Sequence, residues 1–426
     1  MSSHGYPSSG SARINRGKSL LAVTYGGGHI AMIIPVLEQL RTLMPDLQVE
    51  VLALTTARAR AQALDVRCTG YAELLAEWGL QEAVEPGRLL LPGNSHPEVE
   101  VAESVAYLGL NWLDLVLQHG PAEASRRYMA KGRASFHPLR LMLRLIADRA
   151  PDFVLTTNSP RSEQAAVEAA VELGIPCLSM FDIFPAPQDP YALRKVHADM
   201  TTVISAVARD TLVRSGMPAS AIAVTGNPAF DALASPDMAS EGQRLVRQLG
   251  WQNKWVVLYA GHAEPMGHGR WPEGIAFPLA IEQVLRRLVE RRDDVAVVIR
   301  QHPSHWHLFK QSWARELRHP RIHVSLPGQE RVEPWILASS AVVVQASTVG
   351  LQAAVVGRPV LSVDESPSCA SSSFSWSAFG VARSVARIED LEPELMRLRR
   401  FPPAAVLDIP SPAAPLIARM VASRLH

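Results

Sequence analysis

A histidine set directly behind three glycines, in Gly26-Gly27-Gly28-His29, is the residue pattern with the plainest chemical use in this chain. Glycines let backbone N–H groups face a ligand with no Cβ in the way, which suits a phosphate or a polar sugar. A plain tight turn is the alternative, because the tract lacks the spaced G-x-G-x-x-G of dinucleotide folds. His29 opens a helical pattern through Ile30, Ile33, Ile34, Leu37 and Leu40. The positive end of a helix favours the neutral imidazole that a general base requires, and the structural alternative is a histidine satisfied by a carbonyl. Asp182, beyond a strand pattern, suits a base, an acceptor-orienting group or a turn cap. His302, stiffened by Pro303, can donate to a phosphate or to the base. His302, His305 and His307 cluster without an acidic or cysteine partner nearby, so no metal site is expected. Asp364-Glu365 follows a strand and can grip sugar hydroxyls or face solvent, whereas Asp293-Asp294 precedes its strand and lies at the wrong end for catalysis.

Strands and turns must deliver those side chains, and the chain carries a suitable alternation. Ser19–Val23, Val49–Leu54, Val66–Cys68, Asp152–Thr157, Ile175–Phe181, Thr201–Ser205 and Ile222–Thr225 read as strands, with helices at Ala57–Leu64, Arg161–Leu173 and Val207–Ser215. The second half repeats the plan, with strands at Lys254–Ala260, Val295–Arg300, Ala341–Val344 and Pro359–Val363. This order predicts an α/β protein with two doubly wound, Rossmann-like parallel sheets. Functional residues of such sheets lie beyond the carboxyl ends of the strands. Gly26 to His29, Gly261 to His268, His302, Ser347 to Gly350 and Asp364 all fall there.

Residues 1–17 form a Ser/Gly-rich basic tail expected to be disordered. A first domain is expected over 18–235, closing in the linker-like Ala234-Ser235-Pro236-Asp237, a second over 236–410, and a C-terminal helix over 411–426. A helical insertion interrupts the first domain at about 97–150, with one apolar stripe through Val101, Val105, Leu108, Trp112, Leu115 and Val116. Arg126, Arg127, Lys131, Arg133, Arg140 and Arg144 crowd its second half beside Phe136, Leu139 and Leu143. That pattern describes a packed helix with a solvated basic edge, or peripheral contact of residues 126–146 with an anionic inner-membrane surface.

A length of 426 residues favours two domains, and 47% hydrophobic with 19% charged residues is ordinary for a globular protein. The net charge of +1 gives no reason to expect nucleic acid. Cys68, Cys177 and Cys369 are odd in number and far apart, which implies neither a disulfide framework nor a thiolate metal site and fits a reducing cytoplasm. No apolar run reaches the length of a transmembrane helix, and the N-terminal one is too short for a signal-peptide core.

The two halves, joined by Thr225-Gly226-Asn227-Pro228-Ala229-Phe230-Asp231-Ala232-Leu233, resemble GT-B glycosyltransferases and the related non-hydrolysing UDP-N-acetylglucosamine 2-epimerases. Gly357-Arg358-Pro359-Val360-Leu361, after Ser347-Thr348-Val349-Gly350-Leu351-Gln352-Ala353, is similar to the nucleotide-sugar loop and helix of that superfamily. The Gly-Gly-His-Ile tract resembles the first loop of the transferase that adds N-acetylglucosamine to lipid-linked peptidoglycan precursor. Val298-Ile299-Arg300-Gln301-His302-Pro303 resembles the His-Pro motif of capsule, teichoic-acid and sialic-acid transferases. The resemblance covers roughly Lys18 to Arg383. It implies two Rossmann-like domains facing each other across a cleft, a nucleotide-sugar donor, preferentially a UDP-sugar, and a hydroxyl acceptor on a saccharide or lipid-linked envelope molecule.

By that resemblance His29 and Asp182 are catalytic and Gly26, Gly27 and Gly28 form the glycine loop. Gly261, His262, Arg300, His302, Ser347, Thr348, Val349, Gly350, Gln352 and Asp364 bind the donor, and Arg270 is either a further cation for the diphosphate or a solvated loop charge. No cofactor is implied, since the nucleotide-sugar is a substrate. The lack of an Asp-x-Asp at a strand end fits a metal-independent transfer, and a single displacement with His29 as base would invert configuration. Epimerases carry a His-Val-Glu-Ala-Gly-Leu-Arg tract where this chain has Phe181-Asp182-Ile183-Phe184-Pro185, which makes epimerisation the alternative. A non-catalytic nucleotide-sugar-binding subunit is a third reading. Gln352 stands where many relatives hold a ribose with glutamate, and an amide accepts without charge assistance.

Overall fold

The computed structural model describes residues 17–62, 67–95, 98–185, 193–316, 319–371, 376–401 and 409–425. All of the expected tail except Gly17 lies outside the described residues, as do Leu64 and Val66 of the expected second helix and third strand.

Short apolar runs too brief to cover themselves become parallel strands buried on both faces. Strands β1 (Ser19–Thr24), β2 (Gln48–Ala53), β3 (Arg67–Thr69), β4 (Phe153–Thr157), β5 (Cys177–Met180), β6 (Met200–Val203) and β7 (Ile222–Val224) form one sheet in the order β3-β2-β1-β4-β5-β6-β7. Strands β8 (Trp255–Gly261), β9 (Val295–Gln301), β10 (Ile322–Val324), β11 (Ala341–Val344), β12 (Val360–Val363) and β13 (Arg383–Val385) form a second, ordered β10-β9-β8-β11-β12-β13. Both sheets are doubly wound. Strand order reverses between β1 and β4 in the first and between β8 and β11 in the second, and such reversals open a crevice at the carboxyl ends. The registers Val23↔Thr156 and Ala260↔Val344 bring the ends of each central pair level.

Several boundaries depart from the sequence pattern. The edge strands β10 and β13 are three residues each, too short to show a period. Ser235-Pro236-Asp237, expected as a linker, instead starts the helix Pro236–Gln248, with proline in the first turn, where its missing N–H costs nothing. The helical region between β3 and β4 is longer than expected, because Tyr71–Trp78 and Val84–Leu90 precede Val101–His119, Pro121–Lys131 and Leu139–Arg149. Its basic edge is partly neutralised: Arg126 and Arg127 pair with Glu123, and Arg144 pairs with Asp148 and lies over the Trp78 ring. Phe136 is buried. No helix among the described residues is long and apolar enough to cross a membrane.

The chain divides into two compact units, 1–180 with 195–201 and 415–426, and 181–194 with 202–414. This partition departs from a single cut at Ser235. Phe181, Val203, Ile204, Leu212 and Phe230 share one apolar core with Val256, Leu258, Val298 and Val342, which draws β6-proximal residues into the second unit. The first unit has its own core around Leu21, Val23, Leu52, Tyr71, Leu145 and Val154.

Candidate functional site

In the first unit the reversal between β1 and β4 is filled by the glycine loop and by the start of the helix Ser162–Glu172. Gly26 has no room for a side chain, because a Cβ there would lie 1.9 Å from the Thr56 hydroxyl. Gly27 caps the helix Gly28–Leu43 at φ 65, ψ −127, a conformation that favours glycine. These two constraints aim His29, two residues beyond Gly27, across the end of β4. Its Nδ1 lies 2.6 Å from the Thr157 hydroxyl, and that hydroxyl donates to Glu163 Oε2 at 2.5 Å.

Glu163 is completely buried. No arginine or lysine pairs with it among the described residues; instead its Oε1 accepts the Tyr25 N–H at 2.9 Å and its Oε2 the Ser159 N–H at 2.8 Å. Three donors on one carboxylate are charge-assisted bonds that compensate its burial. The network also sets the tautomer of His29. A carboxylate only accepts, so the single Thr157 proton is committed to Glu163, and the Thr157 oxygen can then only accept from His29 Nδ1–H. In that tautomer of the ring the lone pair is on Nε2. A held nitrogen on one side and a lone pair on the other is the arrangement of an oriented base.

Asp182 belongs to the second unit, where its backbone carbonyl accepts from Asn227 Nδ2 at 2.7 Å. Sequence reasoning singled out neither Thr157 nor Glu163. The one available signal was an acidic residue in the first turn of a helix following a strand, a placement ordinarily explained by the helix dipole.

The reversal of the second sheet is bridged by Gln345, the residue that follows β11. Its carbonyl accepts from the Tyr259 hydroxyl at 2.9 Å and from His262 N–H at 3.2 Å, and its amide donates to the His262 carbonyl at 3.3 Å and to Glu264. Glu264, also buried, accepts from the Ser366 hydroxyl at 2.6 Å and the Ser368 N–H at 2.9 Å. The loops carrying Gly261 and His262 and those after β11 and β12 are thereby fixed to one another. Ser347 caps the helix Thr348–Val355, accepting from Val349 N–H, and places Thr348, Val349 and Gly350 in its first turn, with Gln352 half-buried one turn on.

On β9, Arg300 is half-buried, donates to the Ser325 hydroxyl at 2.8 Å and has no carboxylate partner among the described residues. Burial lowers its pKa, so an incoming anion would be a favourable partner. His302 donates its backbone N–H to the Gly261 carbonyl, and its Nδ1 accepts from Ser304 N–H. Desolvation, with His305 and His262 nearby, pushes its pKa below the ordinary histidine range. At neutral pH it is a neutral ring with Nε2–H to offer.

Two expected ligand contacts are occupied. Arg270 donates to Glu365 and Glu389, so it is not a cation waiting for a diphosphate. Asp364 accepts from the hydroxyls of Ser362, Ser377 and Ser384, which anchors the ends of β12 and β13. Among the described residues no group of three or more His, Cys, Asp or Glu side chains could hold a metal ion.

Two doubly wound parallel sheets, each with polar loops at its reversal, are the architecture that this chain shares with solved UDP-N-acetylglucosamine 2-epimerases. Residues 191–389 match the family model described as UDP-N-acetylglucosamine 2-epimerase. Solved structures share this fold at low identity. A candidate UDP-N-acetylglucosamine 2-epimerase of Listeria monocytogenes is 16% identical with a TM-score of 0.60, covering 96% of this chain and 95% of that one. The UDP-GlcNAc 2-epimerase of Methanocaldococcus jannaschii is 11% identical with a TM-score of 0.58, covering 95% and 99%. That of Neisseria meningitidis, bound to UDP-GlcNAc, is 14% identical with a TM-score of 0.57, covering 96% and 99%. No curated protein sequence matches the chain.

Proposed function

We propose that this chain is an enzyme of the UDP-N-acetylglucosamine 2-epimerase type acting on a UDP-sugar, with His29 as its base. The observation that carries the reading is the family match over residues 191–389, which takes in the whole second reversal, from Gly261 and His262 to Gln345 and Ser347. UDP-GlcNAc in the Neisseria meningitidis structure supports the choice of nucleotide. Arg300, His302 and the N–H groups from Ser347 to Gly350 supply a cation, a neutral donor and a helix N-terminus for a diphosphate, without a metal ion. Inverting a sugar at C2 requires a proton taken from one face and returned on the other. An oriented imidazole is suited to one of those transfers.

Glycosyl transfer to a hydroxyl acceptor, inverting and metal-independent, is the second reading. Phe181 to Pro185 favours it, because the tract that carries a glutamate in epimerases is absent there. The same His29 would then deprotonate the acceptor. Incubation with UDP-N-acetylglucosamine in deuterated water, with excess EDTA and no acceptor, separates the two. Epimer carrying deuterium at C2 is the expected result. An unchanged donor that disappears only when a saccharide or lipid-linked acceptor is added would transfer the assignment to the second reading.

A further inference from the structure

Beside the glycine loop, the first unit holds a cavity of about 90 Å³ lined by Tyr25, Asn94, Glu103, Tyr107, Arg133 and Arg161, among others. A water occupies roughly 30 Å³ in the liquid, so the space suits one small polar group and excludes a nucleotide. Two arginines reach it, and neither forms an ion pair among the described residues. The Arg161 guanidinium lies 5.3 Å from the centre of the Tyr25 ring, and its Nε is buried with no hydrogen-bond partner. Such an orphaned donor is a cost that a ligand could remove.

The backbone makes the same point. Arg161 caps its helix at φ 73, ψ −115, nearly the conformation of Gly27 at the head of the helix Gly28–Leu43. Glycine fills one of these equivalent positions and arginine the other, so the strain at Arg161 is retained together with its side chain. The one acid in the cavity is already engaged: Glu103 accepts the N–H groups of Tyr71 and Ala72 at 2.7 and 2.9 Å. Burial also raises its pKa, which weakens its claim on either arginine.

We propose that Arg161 and Arg133 form a subsite for a small oxyanion, carboxylate or phosphoryl, carried by the substrate that reaches His29. Tyr25 couples the two places, since its ring carries Arg161 while its N–H holds Glu163. The planar guanidinium fork suits bidentate recognition of either anion. The UDP-sugar reading bears only on what carries the anion, and free anions test the subsite without it.

Calorimetric titration of the full chain with inorganic phosphate, with glucuronate and with glucose as a neutral control tests the proposal. Wild type is expected to bind at least one anion and not glucose, the stronger of the two naming the source. Arg161→Gly, which relieves the backbone, and the exposed Arg133→Gln are each expected to weaken anion binding by about tenfold, the loss of one charge-assisted contact, with UDP affinity unchanged. Failure of wild type to bind either anion, equal binding by both variants, or a parallel loss of UDP affinity would overturn it.

Discussion

A neutral imidazole serves as a base when one nitrogen is held and the other is free, and at His29 the holding is done by Thr157. Replacing His29 with Ala should lower turnover by about 10² to 10⁴, the range for one positioned base, in a protein that still melts cooperatively near the wild-type temperature. Thr157 is a positioning residue. Thr157→Val removes the acceptor for Nδ1–H and one of the donors to the buried carboxylate, so kcat should fall with little change in KM and the pH profile of kcat should move. Thr157→Ser keeps the hydroxyl and should restore both. A Val variant with wild-type kcat and profile would remove Thr157 and Glu163 from any role in orienting the base.

Among the elements, the long helix Val101–His119 ties neighbouring helices of the first unit together. Glu103 reaches from it to cap the helix Tyr71–Trp78 through two N–H groups, and Asp114 accepts from Leu141 N–H in the helix Leu139–Arg149. Removing a cap of this kind costs about 1 to 2 kcal/mol, so Glu103→Ala should lower the melting temperature measurably. The pH dependence has a definite sign. Burial raises the Glu103 pKa, so the folded chain binds its proton more tightly than the unfolded one, and stability from this group is fullest below the ordinary carboxylate pKa. It declines as pH rises through the raised value. The wild-type advantage over Glu103→Ala in urea unfolding should therefore narrow as pH rises from about 4 toward neutrality. An advantage that widens over this interval would contradict the assignment.

At the scale of the whole molecule, nucleotide binding is expected to dominate measured stability. A ligand that binds only the native state adds about 2.7 kcal/mol at 100 times its dissociation constant. UDP should therefore raise the melting temperature, and CMP, GDP and dTDP should do so less. If Arg300 on β9 grips the diphosphate as proposed, Arg300→Ala should reduce the UDP-dependent shift, while His29→Ala should leave it nearly intact. A uniformly flat panel would count against any nucleotide-sugar function.

Periodicity alone determined the doubly wound plan, because a parallel strand must be apolar on both faces and a covering helix must be apolar on one. Those constraints are local and leave their mark in runs such as Leu20 to Val23 and Val295 to Ile299. The places of the glycine loop, His29, His262 and the Ser347 turn just beyond strand ends were legible for a similar reason: a strand, turn and helix succeed one another locally in the sequence. Tertiary structure alone decided which of these groups are free and which are engaged. Arg270 and Asp364 carried the right charges but are satisfied by Glu365, Glu389 and three serines, partners up to 119 positions away in the sequence. Thr157 and Glu163 read as an ordinary strand end and helix start, and they become a relay only where β1 and β4 lie side by side with 128 positions between His29 and Thr157. Hydrogen bonds bridging such separations follow no period, so their partners are fixed by strand order and helix placement.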